Sequence, residues 1–161
     1  MFTGEVVAGV FQRLGITHVV TVPDSTIGQW EMGIEAAGLR LVRVCREGEA
    51  WGVATGLFLG GKRPLVMIQC TGLFESGDAL RNALHDWQVP IPCVIGYRSY
   101  LNADTIPGDT CLVFTEPLIE AWRLDAFLVT DPGQLGRAEA HLARCLNDGR
   151  PGALVVAEGK A

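Results

Sequence analysis

Residues 43–72 read RVCREGEAWGVATGLFLGGKRPLVMIQCTG. Two apolar runs, Leu39–Val44 and Leu65–Gln69, flank a segment in which Ala50 and Ala54, and Gly52 and Gly56, recur at helical spacing. Short aliphatic runs bounded by Gly, Pro and charge predict strands, and the segment between them predicts a helix over Gly48–Leu59. Strand, helix and strand in that order make a parallel crossover unit.

Working outward, the same alternation covers the chain. Strands are predicted at His18–Val22, Pro92–Gly96, Ala126–Thr130 and Ala153–Ala157. Helices are predicted at Gly4–Leu14, Ile27–Ala37, Glu75–Trp87, Pro117–Arg123 and Gln134–Asn147. Runs such as PLVMI and ALVVA are apolar without alternation, which requires burial on both faces of the sheet. The expected fold is α/β: a doubly wound, six-stranded, mainly parallel sheet with helices on both faces. Residues 1–161 are expected to form a single domain.

The totals exclude some functions. The net charge is −5, and the 13 Lys and Arg are scattered, so a nucleic-acid surface is not expected. No apolar run is long enough to span a bilayer, and the N-terminus lacks the pattern of a secretory leader, so a cytoplasmic protein is expected. Cys45, Cys70, Cys93, Cys111 and Cys145 include no C-x-x-C pair, and His18, His85 and His141 have no ligand-like partner at short spacing. No metal is expected to be held by this chain alone. G-x-G-x-x-G, G-x-x-x-x-G-K-[ST] and G-x-S-x-G are all missing.

In a doubly wound sheet, chemistry collects in the loops at the carboxyl ends of the strands. These loops read TVPDSTIG, VCREGEA, IQCTGLFES and the long IGYRSYLNADTIPGDT. Glu47, at the start of the helix, admits two readings: complement to the helix dipole, or a proton-transferring acid in a tight interface.

REGEAWGVATGLFLGGKRP, followed by LVMIQ and CTGL, resembles the pyrimidine-binding domain of thiamine diphosphate enzymes. Within that group it looks most like the small subunit of sulfopyruvate decarboxylase and the matching half of phosphonopyruvate decarboxylase. Glu47 falls on the family glutamate, Gly56 on its glycine, Lys62 and Pro64 on the turn, and Gln69, Thr71, Gly72 and Leu73 on the loop after the strand. VPDS at Val22–Ser25 and IGYR at Ile95–Arg98 also resemble family segments. The resemblance implies that Glu47 is catalytic and, with Thr71, Gly72 and Leu73, binds thiamine diphosphate. Pro23, Asp24, Ser25 and Arg98 would bind substrate, Asp24 being equally suited to capping a helix. Phe74 and Glu75 depart from the family pattern by adding bulk and negative charge, and Arg98 is a base that could offset Glu75.

The family holds diphosphate and Mg2+ through a G-D-G motif followed by Asn in a second domain. This chain has GDA at Gly77–Ala79 and GDT at Gly108–Thr110 but no G-D-G. The resemblance therefore implies half an active site, completed by a partner subunit that carries G-D-G and Asn. Trp51, Leu73 and Phe74 are candidate contacts, with core packing the other reading for Trp51. The implied activity is decarboxylation of a 2-oxo acid. An acetolactate synthase-like carboligase and a non-catalytic α/β binding module are the alternatives.

Overall fold

The structure is a computed structural model that describes residues 2–106 and 108–159. Strands β1 (His18–Thr21), β2 (Arg40–Arg43), β3 (Pro64–Gln69), β4 (Cys93–Tyr97), β5 (Ala126–Val129) and β6 (Ala153–Ala157) form one sheet in the order β2-β1-β3-β4-β6-β5. Every pairing is parallel, with Val20 opposite both Val42 and Val66, and Ile95 opposite both Ile68 and Val155. The helices are α1 (Gly4–Arg13), α2 (Glu31–Ala36), α3 (Glu47–Leu59), α4 (Cys70–Arg81), α5 (Thr110–Ala121) and α6 (Leu135–Asn147).

Side-chain alternation along the central strands builds a core on each face of the sheet. Val19, Leu65, Met67 and Val94 pack with α1, α2 and α6 through Phe11, Ile34 and Leu142. Val20, Val66, Ile68 and Ile95 pack with α3, α4 and α5 through Trp51, Leu73 and Cys111. Because both faces are covered, β4 and β6 are buried at every position, which is why they read as unbroken apolar runs.

Three helices depart from the expectation. Helix α4 begins at Cys70, directly after β3, whereas a loop was expected as far as Phe74. Cys70, Leu73, Ser76 and Leu80 are all buried on one side, so the helical period starts five residues before Glu75 and masks itself behind Thr71 and Gly72. Gly77 breaks the helical geometry with φ 25°, and a π-type turn continues over Asn82–Asp86. Helix α5 begins at Thr110, capped by Asp109 on the N–H of Cys111, and carries Pro117 in its interior. A proline there leaves the carbonyl of Val113 without its helical donor, and Val113 is on an exposed turn where water can replace it. Of the long loop before α5, Tyr100–Thr105 forms a 3-10 turn, and Pro107 lies outside the described residues. The segment expected as one helix over Ile27–Ala37 divides into a 3-10 turn, Ile27–Trp30, and α2.

Candidate active site

Three glutamates gather at the start of helix α3, and they divide the work. Glu75, from α4, accepts the N–H of Gly48 at 2.7 Å and pairs with Arg46 at 2.6 Å. That N–H contact, first, and the Arg46 guanidinium hold its carboxyl below the usual carboxylate range. Glu49 turns back to accept the N–H of Cys45 at 3.0 Å. Glu47 is left over: half-buried, its carboxyl makes no hydrogen bond or ion pair among the described residues. It lies against Gly72, where a Cβ would come within 2.8 Å of Oε1 and 2.9 Å of Cδ. Capping, the plainer account of Glu47, is thus discharged by its neighbours.

This arrangement also corrects the expected role of Arg98. The base that offsets Glu75 is Arg46, and Arg98 instead faces Asp109 at 3.8 Å. Arg98 lines a cleft of about 480 Å³ together with Pro23, Asp24, Ser25, Gln69 and Ser99. All four residues expected to bind substrate are therefore brought together. The cleft lies where the loop after β1 leads to a helix on one face of the sheet and the chain after β3 leads to a helix on the other, a topological switch point.

Hydrogen bonds fix the cleft. Asp24 accepts from the N–H groups of Thr26 and Ile27 at 2.7 and 2.9 Å through Oδ1, and from Gln69 Nε2 at 2.7 Å through Oδ2. Gln69 in turn accepts the Thr71 hydroxyl at 3.1 Å through its other side-chain atom. Asp24 therefore caps the turn and ties the β1 loop to the end of β3. Ser99, with φ 64°, donates to Asp109 at 2.6 Å, and this contact leads the causes that lower the Asp109 pKa. Thr71 is exposed, whereas Leu73 is fully buried between α4 and the sheet, so its side chain packs the core instead of lining the cleft.

Sequence reasoning missed Glu158. It follows β6 immediately, is only 5% exposed, and has no hydrogen-bond partner on either carboxylate oxygen among the described residues. Burial, and then the charge of Asp24, push its pKa up to about 7, with Thr26 and Arg98 pulling the other way. The signal was present: an acid ending the buried run ALVVA, at the carboxyl edge where sites form.

Two features lie apart from the cleft. Asp125, His141 and Cys145 gather with their ligand atoms within 4.8 Å, a cluster that the expectation of unclustered histidines overlooked at the i, i+4 spacing of His141 and Cys145. Arg144 and Arg150 already sit on the Asp125 carboxylate at 3.4 and 3.3 Å and supply its countercharge. On α3, Ala50 and Ala54 face the chain's own core, while a Cβ on Gly52 or Gly56 would meet nothing. Those glycines floor an apolar groove of about 360 Å³ that includes Leu59 and Trp87, 67% and 63% exposed. Trp51 is fully buried and donates to Ser76 at 2.8 Å, so core packing is its role.

Sulfopyruvate decarboxylase subunit alpha of Methanococcus maripaludis is 28% identical over 93 residues, 58% of this chain and 56% of that protein. The subunit of the same name from Methanothermobacter thermautotrophicus is 29% identical over 97 residues, 60% of this chain and 59% of that protein. The matches thus span a little over half the length of these curated relatives. Benzoylformate decarboxylase from Polynucleobacter necessarius shares the fold, with a TM-score of 0.78 at 18% identity over 97% of this chain and 30% of that one. No helix among the described residues is long and apolar enough to cross a membrane. Residues 1–110 match the family described as thiamine pyrophosphate enzyme, N-terminal TPP binding domain, and with that match over more than half its length the chain belongs to this family.

Proposed function

We propose that this chain is the pyrimidine-binding subunit of a heteromeric, thiamine diphosphate-dependent 2-oxo acid decarboxylase of the sulfopyruvate or phosphonopyruvate type. The observation that carries the reading is Glu47, a half-buried carboxyl with its hydrogen-bonding capacity unspent, resting on a residue with no side chain. A half-buried carboxyl that makes no hydrogen bond within its own fold is open to accept or donate one to a ligand. A heterocycle with a ring nitrogen and an amino group fits such a carboxyl, and thiamine diphosphate when bound supplies an electron sink for the carbon dioxide-losing step.

The roles of this chain's residues follow. Glu47 exchanges a proton at its carboxyl oxygen with the ring nitrogen of the cofactor. Gly72 lets that carboxyl lie close to α4, and Thr71 borders the same edge. Pro23, Asp24, Ser25 and Arg98 hold the substrate, Arg98 opposite its carboxylate. Two of the relatives are called subunit alpha, which supports a second chain. We assign diphosphate and Mg2+ binding to that partner, through a G-D-G motif and a following Asn. The groove over Gly52 and Gly56, with exposed Leu59 and Trp87, is the face offered to it. Five free cysteines, four of them buried, suit a cytoplasmic setting.

The test is a native purification of the tagged chain from its own cell extract, with mass spectrometry of what accompanies it and a thiamine diphosphate assay. A co-purifying chain that carries G-D-G, together with bound cofactor and turnover of a 2-oxo acid, is the expected result. A chain that purifies alone and binds no cofactor would remove the reading.

A further inference from the structure

Glu158 has no part in the mechanism above, yet its setting is built. Its backbone is fixed by a hydrogen bond from its own N–H to Tyr97 O and another from Leu101 N–H to its carbonyl, both at 3.0 Å. Its carboxyl lies over Gly96 of β4, so close that a Cβ there would meet Cδ at 2.9 Å. The groups that face it come from the loop after β1, Asp24 and Thr26, and from the end of β4, Arg98. These three residues all line the cleft. Behind them stand Gln69, which donates to Asp24, and Asp109, which faces Arg98. Glu158 is thus an enclosed carboxyl beside the cleft, faced by the Thr26 hydroxyl as its nearest donor but with no well-formed hydrogen bond on either oxygen.

We propose that Glu158 determines the charge of ligand the cleft accepts: holding its proton, it leaves Arg98 to bind the carboxylate of an anionic 2-oxo acid, and once ionised beside Asp24 it turns the anion away. The inference rests on the reading of the cleft as the 2-oxo acid site. Its physical basis is that enclosure favours the neutral acid, the more so next to a second carboxylate, and that this outweighs the opposing pull of Thr26 and Arg98. Asp24 has both oxygens occupied as acceptors, so the pair divides into a fixed acceptor and a proton holder. Binding and protonation are then linked reciprocally. The bound anion raises the pKa of Glu158, and loss of the proton weakens the anion, by about tenfold for each pH unit above the titration.

The experiment uses the assembled complex in which this chain carries 13C-labelled glutamate carboxyls, titrated from about pH 5 to 9 by NMR with and without pyruvate as the probe, beside Glu158→Gln and Glu158→Asp. The expected result is one carboxyl that titrates near 7 and is missing in Glu158→Gln. Added pyruvate moves its midpoint upward, and pyruvate binding weakens about fivefold from pH 7 to 8. Glu158→Asp keeps that dependence and Glu158→Gln loses it. A Glu158 carboxyl that titrates in the ordinary range overturns the proposal and leaves the Glu47 reading standing. A carboxyl that titrates near 7 but is unmoved by pyruvate overturns it too, and this time it is the cleft's assignment as the 2-oxo acid site that fails.

Discussion

Glu47 and Glu158 are both carboxyls that make no well-formed hydrogen bond among the described residues, and they differ in what surrounds them. Glu47 is half-buried at a helix start that Glu75 already caps, and its position depends on Gly72. Gly72→Ala places a methyl group into the Glu47 side chain. We expect a stability loss of about 1–3 kcal/mol, the usual cost of overpacking, read by chemical denaturation, with turnover falling at least tenfold as Glu47 is displaced. Glu158 makes stability depend on pH. Its folded pKa, about 7, lies above the ordinary 4.5. Below the ordinary value both states hold the proton, so full stability is present. As pH rises from there to about 7 the unfolded chain has released a proton that the folded chain keeps, and stability is lost, on the order of 3 kcal/mol in all. His18, whose pKa burial lowers with help from Lys62 and Arg40, acts in the opposite sense. The comparison of wild type with Glu158→Gln isolates the carboxyl: denaturation midpoints should converge as pH falls and diverge toward pH 8, the variant being the more stable there. Glu47 was legible in the sequence because a charged residue opened a Gly- and Ala-rich helix. Glu158 was not, because a single acid after a strand looks like any strand end until the neighbouring loops are placed around it.

At the scale of elements, the strands were legible because burial on both faces leaves an unbroken apolar run that little else produces. The start of α4 was not, since Thr71 and Gly72 disguise a helical face formed by Cys70, Leu73, Ser76 and Leu80. Nor was the start of α5, where Pro117 reads as a beginning although an exposed turn tolerates it. The Phe74–Glu75 departure from the family pattern was legible as a change of charge but not as a cap. Its effect is local, because Glu75 spends its charge on Gly48 and Arg46. Glu75→Ala should lower stability by about 1 kcal/mol, as removal of a helix cap does. Arg46→Gln should cost less, because the pair is largely exposed, with Arg46 at 76% side-chain exposure. Thermal denaturation of the two variants side by side checks that order, and equal losses would assign the stabilisation to the ion pair instead of the cap.

At the scale of the whole molecule, the sheet gathers Pro23, Asp24, Ser25, Gln69 and Arg98 on one cleft and leaves the groove over Gly52 and Gly56 open on the outer side of α3. A Cβ at Gly52 meets no atom within 4 Å, so the fold of Gly52→Leu should persist, as judged by circular dichroism, while association with the partner weakens at least tenfold in a co-purification titration. Loss of the fold would place Gly52 in the chain's own packing instead. The central claim is that Glu47 handles the cofactor's proton, and the most direct measurement is 2-oxo acid turnover by the assembled complex containing Glu47→Gln, with its subunit content and thiamine diphosphate content determined on the same sample. The account predicts intact assembly, retained cofactor and turnover reduced by at least about 100-fold, the scale of a lost acid–base group. Turnover equal to that of the wild-type complex would contradict it.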